Sequence, residues 1–214
     1  TQLNFAWYSH TAETPSVRIA TKQNMDGAKE FAGTQTDAVT IDGVKYFSNK
    51  AIVKDLKENT KYYYQVFQNG KWQDAESYTT KSFNSFSFLY VGDPQIGASK
   101  NQTSTEQEKM VSAGNEVSSS AADNLAARND GYNWNNILND AIKDHGDVSF
   151  IVSAGDQVNA GKNEREYAAY LGADALASLP VATTIGNHDS VSNQYTLHFN
   201  NPNAFSDKDA NYIQ

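Results

Sequence analysis

Three apolar runs in the second half of the chain end alike: "FSFLYVGD", "VSFIVSAGD" and "VATTIGNHD". Each has the length of a buried strand, and each stops at a glycine followed at once by polar side chains. Between them lie helical stretches. In "NWNNILNDAIKDHG", Trp134, Leu138 and Ile142 form an i, i+4, i+8 stripe that ends near Gly146. "NEREYAAYLGADALASL" reads as a second helix, ended by Pro180. Strands alternating with helices predict a mostly parallel sheet with helices on its faces. The carboxyl ends of parallel strands share one edge, where ligand sites of open α/β folds collect. Asp93, Asp156 and Asn187 are therefore expected to converge, although 63 residues separate the first two and 31 the second two. The second interval fits one crossover. The first is twice as long, and the Ser-, Ala- and Asn-rich stretch 99–130 reads as an insertion, partly helical around Thr105 to Val111.

Two carboxylates and an amide crowded on one edge repel one another unless a cation sits among them. Hard oxygen ligands with some imidazole favour Mn, Fe, Mg or Zn over soft metals. The glycine before each polar group lets the backbone turn sharply and come close to such an ion.

The first part of the chain follows a different grammar. In "QLNFAWYS", Leu3, Phe5 and Trp7 alternate with polar neighbours, as a half-buried strand requires. "SVRIATK" and "KAIVKDL" are further strand candidates. In "KYYYQVFQNGKWQ", Tyr62, Tyr64 and Val66 share one face, and Asn69-Gly70 marks a hairpin turn. The stretch "LKENTKYYYQV", with Leu56, Thr60, Tyr62 and Tyr64, resembles the tyrosine corner of fibronectin type III-like sandwiches. The expected organisation is an all-β antiparallel sandwich over residues 1–82 and an α/β domain over 83–214. The sandwich starts on an inner strand, which predicts truncation at the amino end.

Charge and composition narrow the partners. Lys and Arg total 17 against 25 Asp and Glu, for a net charge of −8. Such a chain repels nucleic-acid polymers and anionic membranes. No stretch approaches the roughly 20 apolar residues of a membrane helix, so no membrane insertion is expected. The absence of cysteine excludes disulfide frameworks, thiolate metal sites and cysteine nucleophiles.

Strand-Gly-Asp, strand-Gly-Asp and strand-Gly-Asn-His-Asp, in this order, resemble the first three motifs of the calcineurin-like metallophosphoesterases. With a fibronectin-like domain in front, the chain is most similar to the purple acid phosphatase branch. The resemblance implies an α/β catalytic domain built as a β-sandwich flanked by helices, and hydrolysis of phosphate esters at a dinuclear centre of Mn, Fe or Zn. It implies that Asp93 binds the first metal, Asp156 bridges both, and Asn187 binds the second and helps orient the phosphate. His188 would stabilise charge on the phosphate or protonate the leaving oxygen, and Asp189 would hold the His188 ring.

Two positions depart from the family pattern. The first motif is Asp93-Pro94-Gln95, where many members have Asp-x-His and purple acid phosphatases Asp-x-Gly. Gln95 could lend its amide oxygen to the first metal or only hydrogen-bond nearby. Asn159 stands where purple acid phosphatases carry the tyrosine that colours the iron, so a colourless centre is expected. The later lone-His and Gly-His-x-His motifs of the family are missing. The chain has only His10, His145, His188 and His198. The reading is therefore of an inactive fragment, lacking about half of the catalytic domain and with it roughly three metal ligands, so that its two metal ions could be absent, from a secreted or surface-attached parent. His145 suits a helix C-terminus, His198 the mouth of a cleft, and His10 a solvated loop. An unpaired edge of the half-sheet could support a dimer. The alternatives are a nucleotidase or phosphodiesterase of the same fold, or a catalytically degenerate surface-binding protein.

Overall fold

A computed structural model of the chain describes residues 1–100 and 122–202. The chain divides into two compact units, one of Thr1–Phe86 with the described part of Thr196–Phe205, the other of Ser87–Tyr195.

The first unit is all β. Its strands are β1 (Gln2–Ser9), β2 (Ser16–Ala20), β3 (Lys29–Ala32), β4 (Thr34–Ile41), β5 (Val44–Lys54), β6 (Lys61–Gln68), β7 (Lys71–Trp72) and β8 (Glu76–Thr79). They form two antiparallel sheets, β1-β5-β4 and β3-β2-β6-β7 with β8 on β6. Val17 and Ile19 of β2 meet Ala51 and Val53 of β5 in the core, with Leu56 and Tyr62. The alternation read in the sequence sets this face: Leu3, Phe5 and Trp7 pack against the cluster from β1, and Tyr64 and Val66 from β6. The Tyr62 hydroxyl accepts from the Lys57 amide at 2.9 Å, the bond a tyrosine corner requires. Asn69 (φ 54°) and Gly70 (φ 77°) close a two-residue hairpin between the paired Gln68 and Lys71.

Two strands were not legible. β3 and β4 are polar and mostly exposed, so alternation marks them weakly. Gly33 joins them, and a Cβ there would collide with the Lys50 carbonyl, so the close approach admits only glycine. The residues after Thr196 also pack on this unit, which no local pattern announced. Asn200 donates to the carbonyls of Phe5 (3.0 Å) and Ala51 (3.2 Å), and Ser48 donates to Leu197 O at 2.6 Å. His198 stacks on Tyr8 with ring centroids 4.5 Å apart, so its ring packs within this unit.

The second unit carries β9 (Phe88–Val91), α1 (Ala122–Asp144), β10 (Phe150–Ser153), α2 (Glu164–Leu171) and β11 (Val181–Thr183). The short helix α3 (Gln194–His198) straddles the division between the units. The three strands are parallel, in the order β11-β10-β9. Helix α1 starts well before the predicted stripe and takes in residues read as insertion. Ala127, Gly131, Trp134 and Leu138 form its buried face, on a three-and-four spacing. Small side chains at its start hid the pattern. The expected helix around Thr105 to Val111 lies outside the described residues. Trp134 stacks on Tyr170 of α2 at 5.3 Å and donates to its carbonyl at 3.2 Å.

The second predicted helix is split. Asn163 caps α2 by accepting from Arg165 N, and Gly172 ends it by donating to Ala168 O; a 3-10 turn, Asp174–Ala177, follows before Pro180. β9 is also less buried than its composition suggests. Phe88 is 47% and Tyr90 71% exposed, because one sheet face meets the helices while the other is uncovered among the described residues. Within the described residues, no helix is long and apolar enough to cross a membrane.

Candidate active site

Beyond the carboxyl ends of β9 and β10 the two loops stay paired. Asp93 N donates to Gly155 O (3.2 Å), Gln95 N to Asp156 O (2.9 Å) and Ile96 N to Gln157 O (3.2 Å). Asn159 N returns a bond to Ile96 O at 2.9 Å, and the fully buried Ile96 and Val158 form a parallel bridge. This pairing places the two loops in register at the edge that sequence reasoning singled out.

The backbone here is strained at the residues that matter. Asp93 (φ 55°), Gln95 (φ 40°) and Asp156 (φ 50°) all lie in the left-handed region. Each non-glycine residue held there costs about 1–2 kcal/mol, and such outliers cluster at functional sites. The third loop supplies Gly186, whose Cα lies so close to Asp156 that a Cβ would collide with the carboxylate and the amide. That is the physical use of the glycine in the third motif.

Asp156 is the hub. Its Oδ1 accepts from His188 N at 2.8 Å. With the Asn187 amide turned so that Nδ2 faces it, Oδ2 accepts at 3.3 Å. Asp156 and Asn187 therefore meet. Asp93 joins them through its backbone only; its carboxylate is exposed. The His188 ring lies between the other two loops: Nδ1 is 2.6 Å from Asn159 O, and Nε2 is 2.7 Å from Gln95 Nε2.

Asp189 takes a different place from the one the resemblance implied. Its carboxylate is fully buried and accepts from Gly186 N (2.9 Å) and Gln157 N (3.1 Å), tying the second and third loops together. The ring of His188 is held instead by Asn159 O and Gln95. Burial pushes the Asp189 carboxyl above its usual range; the amides of Gly186, Gln157 and Val158 pull it back, and the charge of Asp156 adds to the rise.

Gln157 was not anticipated. Fully buried, it donates to Ser153 Oγ (2.9 Å) and Thr184 O (3.1 Å), fastening the ends of β10 and β11 behind Asp156. Its position directly after a motif aspartate was the one available signal. The carbonyl of Asn159 left none, because side-chain identity does not encode a backbone acceptor. His145 and His10 are exposed and lie outside this cluster.

Residues 86–213 match the family profile described as Calcineurin-like phosphoesterase. The chain belongs to that family. Residues 1–80 match the Purple acid Phosphatase, N-terminal domain. A search of curated proteins finds no match. The two family matches support metal-dependent phosphoester hydrolysis in general terms.

The donor chemistry of the site fits a hard divalent cation. Two carboxylates, Asp93 and Asp156, and two side-chain amides, Asn187 and Gln95, whose oxygens are ligands of the kind such a cation takes, come from paired or adjoining loops. Among the described residues, no group of three or more His, Asp or Glu side chains is placed to hold a metal.

Proposed function

We propose that the second unit carries the metal-binding edge of a phosphoester hydrolase with a dinuclear centre. Asp93 and Gln95 would serve one metal, Asp156 would bridge, and Asn187 would serve the other. A bound pair supplies Lewis-acid polarisation of the phosphoryl oxygen and an ionised water at neutral pH. His188 would meet charge developing on the phosphate once substrate displaces Gln95 from Nε2 and that nitrogen carries a proton, and Asp189 would keep Gly186 and Gln157 in place so that Asp156 stays oriented. The observation that carries this reading is the left-handed backbone at Asp93, Gln95 and Asp156, held at one strand edge beside a glycine with no room for a side chain. Mn, Fe or Zn would suit these ligands. The substrate class is a phosphate ester, the surroundings extracellular or cell-surface, and the domains proper are residues 1–82, the sandwich, and 83–214, the catalytic part.

The test is elemental analysis of the intact chain after dialysis against Mn, Fe and Zn, with Asp156→Ala alongside. Bound metal lost in Asp156→Ala supports the assignment. Equal metal in both proteins refutes it. Turnover of a monoester against a diester then separates a phosphatase from a phosphodiesterase. A second reading, a binding protein without catalysis, draws support from one contact: Gln95 caps the His188 nitrogen that a phosphate would otherwise approach. Metal binding with no turnover of either ester would favour it.

A further inference from the structure

The His188 imidazole has both nitrogens engaged, and the chemistry of the two partners fixes its form. Asn159 O is a carbonyl and can only accept, so Nδ1, 2.6 Å away, carries the hydrogen. In a neutral ring Nε2 is then a bare lone pair. The group facing it at 2.7 Å is the Gln95 amide nitrogen, which can only donate. Donor meets acceptor at both ends, and the opposite tautomer would set donor against donor at Nε2 and acceptor against acceptor at Nδ1.

Both partners are themselves anchored. The Gln95 backbone N–H donates to the Asp156 backbone carbonyl, and the residues after it are pinned by Asp130, whose Oδ2 accepts from Gly97 N (2.8 Å) and Ser99 N (3.2 Å). Asn159 N donates to Ile96 O in the same paired loops. The His188 backbone is held through its amide to Asp156 Oδ1. Asp189, the neighbouring carboxylate, spends its oxygens on Gly186 and Gln157 amides.

We propose that Gln95 is a positioning residue for His188: its side-chain amide donates to Nε2 and, with the Asn159 carbonyl, holds the ring in one orientation and in the Nδ1–H tautomer. A glutamine carries two N–H groups and an amide oxygen, so this bond leaves its oxygen for a cation and one N–H for an anionic oxygen. A histidine or glycine at position 95 could not do all three. The functional value of the arrangement rests on the phosphoester reading above; the hydrogen bond does not.

The experiment is long-range 1H–15N correlation of the imidazoles in the intact, metal-free chain, with His188 assigned from the signal lost in His188→Ala. The expected spectrum shows one tautomer, with Nδ1 protonated and Nε2 as the bare nitrogen, shifted by accepting a hydrogen bond. Gln95→Met keeps the side-chain volume and removes the donor, and Gln95→Ala removes both. In each, the Nε2 signal should move toward that of a free bare nitrogen while Nδ1 stays protonated. A protonated Nε2 in the neutral wild-type ring overturns the proposal, as does an Nε2 signal unmoved by Gln95→Met. The wild-type spectrum decides even if a variant fails to fold. The proposal and the enzymatic reading fail separately: this tautomer without bound metal or turnover removes only the latter, and metal-dependent turnover with Nε2 protonated removes only the former.

Discussion

Single atoms decide much of the behaviour of this chain. At Gly186 a methyl group would strike Asp156, so Gly186→Ala should displace the carboxylate. With Asp156 as the proposed metal ligand, disturbing its support should weaken metal binding about 10- to 100-fold, and a metal titration of Gly186→Ala should show a loss of that size. Tyr62 is a separate case in the first unit. Its hydroxyl is the acceptor for Lys57 N–H, and Tyr62→Phe leaves that amide without it. The cost should be about 1–3 kcal/mol, read by denaturant unfolding. Burial, and then the charge of Glu76 across the ladder, push the Tyr64 hydroxyl up to about 12 from 10.0. The folded state thus favours the neutral phenol. Its contribution to stability is complete below the unfolded value of 10.0 and is lost as pH rises from there through about 12. Glu76→Gln should lower the midpoint of Tyr64 ionisation in a spectrophotometric titration.

At the level of elements, the helices are held by a few large contacts on small-residue surfaces. Leu138 is fully buried on the stripe of α1 that also carries Trp134. Leu138→Ala should cost about 2–5 kcal/mol in thermal or denaturant unfolding, because a packed core relaxes only partly around the space left. The stripe from Trp134 to Leu138 was visible in the sequence because large apolar residues repeat at helical spacing. Its extension to Ala127 and Gly131 was not, since small residues carry little hydrophobic signal. The same contrast holds among strands. β1 and β6 alternate clearly, whereas β3 and β4 offer polar residues whose strand state comes from pairing with neighbours. Apolar composition made β9 read as buried; which face of a sheet is covered is settled by the elements packed on it.

For the whole molecule, ligand binding and folding are linked. A metal that binds only the folded chain at 100 times its dissociation constant should add about 2.7 kcal/mol of stability. Calorimetry with and without Mn should therefore show a rise in unfolding temperature for the parent chain, and none for Asp156→Ala. An unchanged parent would place the metal ligands elsewhere. A net charge of −8 works in the same direction, since a cation bound at this edge relieves part of the repulsion that the fold otherwise bears.

Period-two and helical spacing, the Asn69-Gly70 turn and three glycine-ended strands were enough to point to an antiparallel sandwich, a parallel sheet and the sheet edge from which the loops of Asp93 and Asp156 leave. These are local properties, written in side-chain order. What local order could not specify is where a polar atom finds its partner. Asp189 follows His188 in the chain, yet burial and the amides of Gly186 and Gln157 draw its carboxylate away from the ring. Gln95, 93 residues distant, takes that place through the pairing of two loops. Hydrogen bonds are chosen by geometry in space, so the tertiary structure alone decided which residue holds the imidazole.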